Sequence, residues 1–86
     1  MEVTIIEAAM SHSKEDGYLG HVSFRVESHA QPYELTLSSK SGKDWSYALN
    51  FLNESGTEAQ IDAVEAAIEE DDELFDRLVE AAKSRL

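Results

Sequence analysis

Seven carboxylates recur at helical spacing near the C-terminal end of the sequence, and they are the residues best placed to do chemistry. They are Glu58, Asp62, Glu65, Glu69, Glu73, Asp76 and Glu80. On a helical wheel the first four share one flank of a helix and the last three share a flank of a second, with neighbouring charges about 5–7 Å apart. This spacing resembles the step between phosphates along a nucleic-acid strand. The carboxylates could therefore imitate a phosphate backbone.

The negative charge of the chain is concentrated in this region. Residues 54–80 contain eleven acidic residues and one basic residue, Arg77, whereas residues 1–53 carry a net charge of −3 and residues 81–86 carry +2, within a total of −11. Like charges one turn apart destabilise a helix by a few tenths of a kcal/mol per pair, and a typical surface would interleave lysines. The pattern favours a recognition surface for a basic protein. A solvated face that serves only solubility is the alternative.

Other kinds of chemistry find little support in the sequence. The acidic run at residues 69–73 could bind a divalent cation, but it lacks the glycine that calcium loops need. His12, His21 and His29 have no metal-site spacing, the chain contains no cysteine, and no nucleophile elbow or phosphate-binding loop occurs. We therefore predict a non-enzymatic protein with no catalytic residue, no metal ligand and no cofactor.

The aromatic residues of the middle segment allow two interpretations. Trp45, Tyr47 and Phe51 could form a platform on which nucleic-acid bases stack. They alternate with smaller residues, however, which is typical of the buried face of a strand. We predict that these side chains belong to the core.

The net charge also limits the partners. Phosphates and anionic lipids would be repelled, so we expect neither direct binding to nucleic acid nor binding to a membrane. A basic protein is the expected partner, in particular one that itself binds DNA or RNA. The N-terminal residues form neither a basic segment nor a sustained apolar run, so we expect a cytoplasmic protein.

The elements that must position these residues form a single α+β domain over residues 1–86. Alternating apolar residues predict strands at 2–6, 18–28, 33–38 and 45–52, with a polar turn at 11–17 that ends in Asp16-Gly17. The fold class we predict is a four-stranded antiparallel sheet in β-β-β-β-α-α order, with two C-terminal helices packed on one face.

The two helices are predicted from their caps and apolar positions. Thr57 and Gln60 have capping-box spacing, and a break at residues 70–72 would use an aspartate as the second N-cap. The inward positions of the second helix are Phe75, Leu78, Val79, Ala82 and Leu86. We expect the alanines on the remaining flank to pack between the helices, with packing across a dimer as the alternative; they are Ala59, Ala63, Ala66, Ala67 and Ala81.

In charge and size, residues 54–80 resemble the small acidic proteins that imitate DNA, such as some phage-encoded inhibitors and nuclease-immunity proteins. The resemblance implies an inhibitor that docks on a Lys/Arg-rich surface and displaces nucleic acid. Glu65, Glu69, Asp76 and Glu80 would carry most of the interaction. The alternative is a small structural or regulatory domain that self-associates as a homodimer, with its acidic face serving solubility.

Overall fold

The computed structural model describes residues 1–86 and has the predicted α+β architecture. Strands β1 (Val3–Ser13), β2 (Gly17–Val26), β3 (Tyr33–Ser39) and β4 (Ser46–Phe51) form one antiparallel sheet in chain order. Helices α1 (Glu58–Glu70) and α2 (Asp72–Lys83) follow and cover one face of it. The predicted fold class is confirmed. None of the helices has both the length and the apolar character needed to cross a membrane.

The hairpin of β1 and β2 is longer than predicted. β1 continues seven residues beyond its predicted end at residue 6, into residues 11–13 of the predicted turn, and Ser13 pairs with Gly17. The turn itself lies where Asp16-Gly17 predicts it, because Gly17 has a φ of 76° and a Cβ there would collide with the carbonyl oxygen of Ser39. The sequence prediction ends β1 too early because the apolar alternation is interrupted at Ile6 and because residues 11–13 are polar.

A β-bulge at Ile6 explains why the alternation in β1 is irregular. Ile5 lies opposite Phe24 and Glu7 lies opposite Ser23, which leaves Ile6 as the extra residue. Its side chain is 48% exposed. The bulge changes the phase of the strand, so its inward residues have odd numbers before it and even numbers after it.

A single core lies between the sheet and the helices. It contains Val3, Met10, Val22, Phe24, Val26, Tyr33, Leu35, Leu37, Val64, Ile68, Leu78, Val79 and Ala82. Five of its seven largest fully buried side chains come from the central strands β2 and β3, and the other two, Val64 and Leu78, come from the helices. On the edge strand β4, alternate residues from Trp45 to Phe51 pack against this core as predicted, but they are only half-buried.

Two predictions about packing are wrong. Leu86 lies beyond the end of α2 and is 62% exposed, so it is not part of the core. Ala59, Ala63 and Ala66 are exposed and do not pack between the helices. Relative to Val64, which faces the sheet, these alanines lie about 100–160° round the helix, so they point away from the sheet. Ala67 and Ala81 are half-buried.

Candidate protein-binding surface

All seven predicted carboxylates are exposed on the two helices. Four lie on α1 and three on α2; they are Glu58, Asp62, Glu65 and Glu69, followed by Glu73, Asp76 and Glu80. Thr57 caps α1 by accepting a hydrogen bond from the backbone N–H of Gln60 at 3.2 Å. The Gln60 side chain accepts from the backbone N–H of Ala30 and so ties the start of α1 to the loop between β2 and β3.

Asp71 separates the two acidic segments. Its carboxylate accepts hydrogen bonds from the backbone N–H groups of Glu73 at 3.1 Å and Leu74 at 3.2 Å, while its own N–H donates to the carbonyl of Ala67 at 2.8 Å. Its backbone is extended, so the chain leaves one helix and enters the next within a single residue. The predicted break is confirmed, and the carboxylates lie on two helices that pack mainly on different strands, α1 on β4 and α2 on β1 and β2.

Few cations lie near the seven carboxylates, so their negative charge is largely uncompensated. Arg77, the one basic residue among residues 54–80, donates from Nη2 to the backbone carbonyl of Val3 at 2.9 Å, in a partly buried position. The one salt bridge in the molecule joins Lys83 to Glu80 at 3.5 Å on the surface. Six of the seven carboxylates therefore have no ion-pair partner.

Tyr47 connects β4 to the acidic flank of α1. Its hydroxyl donates a hydrogen bond to the carboxylate of Glu69. Burial of the ring, this hydrogen bond and the charges of Glu69 and Glu65 raise the pKa of Tyr47 to about 12. Tyr47 is therefore a neutral donor at physiological pH, and it holds Glu69 in a defined orientation.

A cavity of about 220 Å³ lies beside this hydrogen bond, at the corner between the helices and the edge strand. It is lined by Trp45, Tyr47, Ile68, Glu69, Asp72 and Phe75. The sequence predictions placed the aromatic residues in the core and Glu69 on the acidic flank, and they missed that the two groups meet. The predicted helix break places a corner after Glu69, but it does not fix the angle of that corner, so it gave no signal that the last turn of α1 lies close to the edge strand.

The remaining polar groups do not assemble another centre. A second cavity, of about 320 Å³, is lined by Asp16, Ser38, Ser39, Lys40, Ser41, Asp44 and Ser46. The Lys40 ammonium already donates to the carbonyl of Glu15 at 2.9 Å. The histidines lie apart: His12 packs on Tyr18, and His29 forms a hydrogen bond with the Tyr33 hydroxyl at 2.8 Å. No three His, Asp or Glu side chains are grouped so that they could hold a metal ion.

No protein-family model, curated protein or solved structure matches this chain. Two features of the chain are candidates for binding a partner: the exposed carboxylates of α1 and α2, and the aromatic and acidic cavity at the corner between these helices.

Proposed function

We propose that this is a non-enzymatic interaction protein that binds a basic, nucleic-acid-binding protein through α1 and α2. The observation that carries the proposal is that seven exposed carboxylates share one intramolecular ion pair, between Glu80 and Lys83. Arg77 lies among them in sequence but donates to the backbone of Val3. The helices consequently present negative charge to solvent, which suits a surface rich in lysine and arginine.

The proposed mechanism is electrostatic mimicry. Carboxylates occupy positions that phosphates would occupy on the partner, so binding of this protein and of nucleic acid would be mutually exclusive. The field of the acidic surface would steer the encounter and raise the association rate, and added salt would weaken both effects. The role is that of an inhibitor or a regulator of the partner.

Two variants of equal net charge test this proposal. The helix variant carries Asp62→Asn, Glu65→Gln, Asp76→Asn and Glu80→Gln. The sheet variant carries Glu2→Gln, Glu7→Gln, Glu15→Gln and Glu27→Gln, at exposed positions outside the helices. Each change removes four negative charges and leaves −7 of the original −11.

Basic proteins would first be recovered from a lysate on the immobilised protein and eluted with salt, and the affinity of each purified partner would then be measured across ionic strengths. The helix variant should bind about tenfold more weakly or worse, with a shallower salt dependence, while the sheet variant stays close to wild type. Equal losses in the two variants would show that net charge matters and that the helical surface does not.

One observation favours a second function, self-association. The sheet face opposite the helices has no covering layer, and Leu19, which lies on that face, is 46% exposed. A homodimer joined through this face would make the acidic surface a solubility device. Sedimentation equilibrium at low and high salt separates the two functions, since a tight dimer that is insensitive to salt and leaves basic proteins unbound would favour the second.

A further inference from the structure

The cavity at the helix corner has both aromatic walls and negative charge. The exposed flanks of the helices have negative charge without aromatic side chains. Its aromatic side chains are Trp45, just before β4, Tyr47 in β4 and Phe75 in α2. Its two carboxylates, Glu69 and Asp72, lie on either side of the junction at Asp71. Ile68, which is 3% exposed, adds apolar surface to the lining. A cation that entered would lose part of its hydration and contact both aromatic faces and carboxylates.

Neighbouring groups hold the walls in place. The rings of Tyr47 and Phe75 are 5.8 Å apart and tilted by 55°, and the Trp45 ring packs on Tyr18 at 5.9 Å. Glu69 is oriented by the Tyr47 hydroxyl. A carboxylate has lone pairs for about four hydrogen bonds, so Glu69 can still accept donors from a ligand. Because these walls are already held in place, the protein's own contribution to the entropic cost of binding is small.

We infer that this cavity binds one arginine side chain of the basic partner, an inference that rests on the proposed function. A guanidinium group has flat faces that stack on aromatic rings and N–H donors at its edge that suit carboxylates. The volume of about 220 Å³ is below the roughly 300–1,000 Å³ of typical small-molecule pockets, and it suits a single side chain. Lysine fits this chemistry less well, because its ammonium group is strongly hydrated and has no flat face.

The single tryptophan of the chain makes this inference directly measurable. Trp45 is the only tryptophan and it lines the cavity, so its fluorescence reports occupancy. Hexa-arginine, hexalysine and hexacitrulline peptides, capped at both ends, would be titrated at physiological ionic strength. Hexa-arginine should bind about three- to tenfold more tightly than hexalysine, which has the same charge. Hexacitrulline, which has a similar shape and no charge, should not bind.

Variants of the cavity residues then test whether the preference for arginine over lysine arises in the cavity. Phe75→Leu removes an aromatic wall, and Asp72→Asn removes a carboxylate from an exposed position at the start of α2, where a folding defect is not expected. Each should reduce the ratio of the two affinities towards one. The control is Glu73→Gln, which makes the same change in charge as Asp72→Asn outside the cavity and should weaken both peptides equally.

The outcomes separate this inference from the proposed function. Equal affinities for the arginine and lysine peptides, or a preference that survives both cavity variants, would overturn the arginine assignment. The proposed function fails by a different result, equal partner binding by the helix and sheet variants. A preference for arginine that disappears in Phe75→Leu and Asp72→Asn and persists in Glu73→Gln would establish the cavity as an arginine site.

Discussion

The hydroxyl of Tyr47 donates a hydrogen bond to the carboxylate of Glu69, and this contact joins the edge strand β4 to the last turn of α1. It is the point at which the acidic surface and the aromatic side chains of the sheet meet. A hydrogen bond to a charged group contributes about 1.5–3 kcal/mol when shielded and less when exposed. The contact therefore positions one carboxylate as well as stabilising the domain.

We predict that Tyr47 ionises at an unusually high pH. Its pKa is about 12 in the folded protein and about 10 in an unfolded chain. Since the folded pKa is the higher one, its contribution to stability is complete below about pH 10 and is lost as the pH rises towards 12. Tyrosinate absorbance, compared between wild type and Tyr47→Phe, measures the ionisation.

Glu69→Gln tests whether Glu69 causes part of the rise in the pKa of Tyr47. It removes the charge of Glu69 and leaves a neutral amide oxygen as the acceptor, so Tyr47 should ionise at a lower pH than in wild type while the effects of burial and of Glu65 remain. Glu58→Gln, a carboxylate on the first turn of α1, should leave the titration unchanged. A Tyr47 ionisation near pH 10 in the wild-type protein would contradict the contact.

Asp71→Ala should destabilise the protein by about 1 kcal/mol, within a range of roughly 0.5–2 kcal/mol for the loss of an N-cap. The lost interactions are the hydrogen bonds from the backbone N–H groups of Glu73 and Leu74. Asp71→Asn keeps an acceptor oxygen and should remain close to wild type. Urea unfolding of the three proteins measures the difference, and an equal loss in both variants would show that the charge, and not the cap, is what stabilises this junction.

Arg77 should contribute to stability more than the other helix cations. Its guanidinium donates to the Val3 carbonyl across the length of the chain, from α2 to the start of β1. Arg77→Ala should cost about 1–2 kcal/mol, because it leaves a partly buried carbonyl without its donor. Arg85→Ala, an exposed position beyond α2, is the control and should change thermal stability by no more than about 0.5 kcal/mol. Similar melting temperatures for the two variants would rule out a structural role for the Arg77 contact.

The sequence predicts those features of the structure that depend on residues close together in the chain. Period-two alternation in β2 and β3, the Asp16-Gly17 turn and the Thr57 cap are set by neighbouring residues, and all are predicted correctly. The bulge at Ile6 and the polar end of β1 depend on pairing with β2, which the residues of β1 alone do not reveal.

The cavity could not be predicted for a related reason. Its walls come from segments more than twenty residues apart, with Trp45 before β4 and Phe75 in α2. Each residue had a sufficient local explanation, as core or as acidic flank. Only the packing of the helix corner against the edge strand places an aromatic ring and a carboxylate side by side, and the sequence alone does not set the angle at that corner.

Deletion of Ile6 should be tolerated. Removing the extra residue of the bulge joins Ile5 to Glu7 in a regular strand, and Ala8 and Met10 keep their inward positions and their partners Val22 and Gly20. Deletion of Thr4 is the matched control, because it turns Val3, which is 7% exposed, from the core to the opposite face of the sheet and should lower the melting temperature. Circular dichroism and thermal melting distinguish the two, and a deletion of Ile6 as damaging as that of Thr4 would contradict the bulge.

The central claim is that the carboxylates of α1 and α2 take the place of phosphates, and competition tests it most directly. A purified partner recovered on this protein would be bound to its fluorescently labelled nucleic acid, and this protein would then be added while anisotropy is followed. Mimicry predicts complete displacement of the nucleic acid, with the concentration required rising in proportion to the nucleic acid present, and much weaker displacement by the helix variant than by the sheet variant. A stable ternary complex of partner, nucleic acid and this protein would contradict the claim.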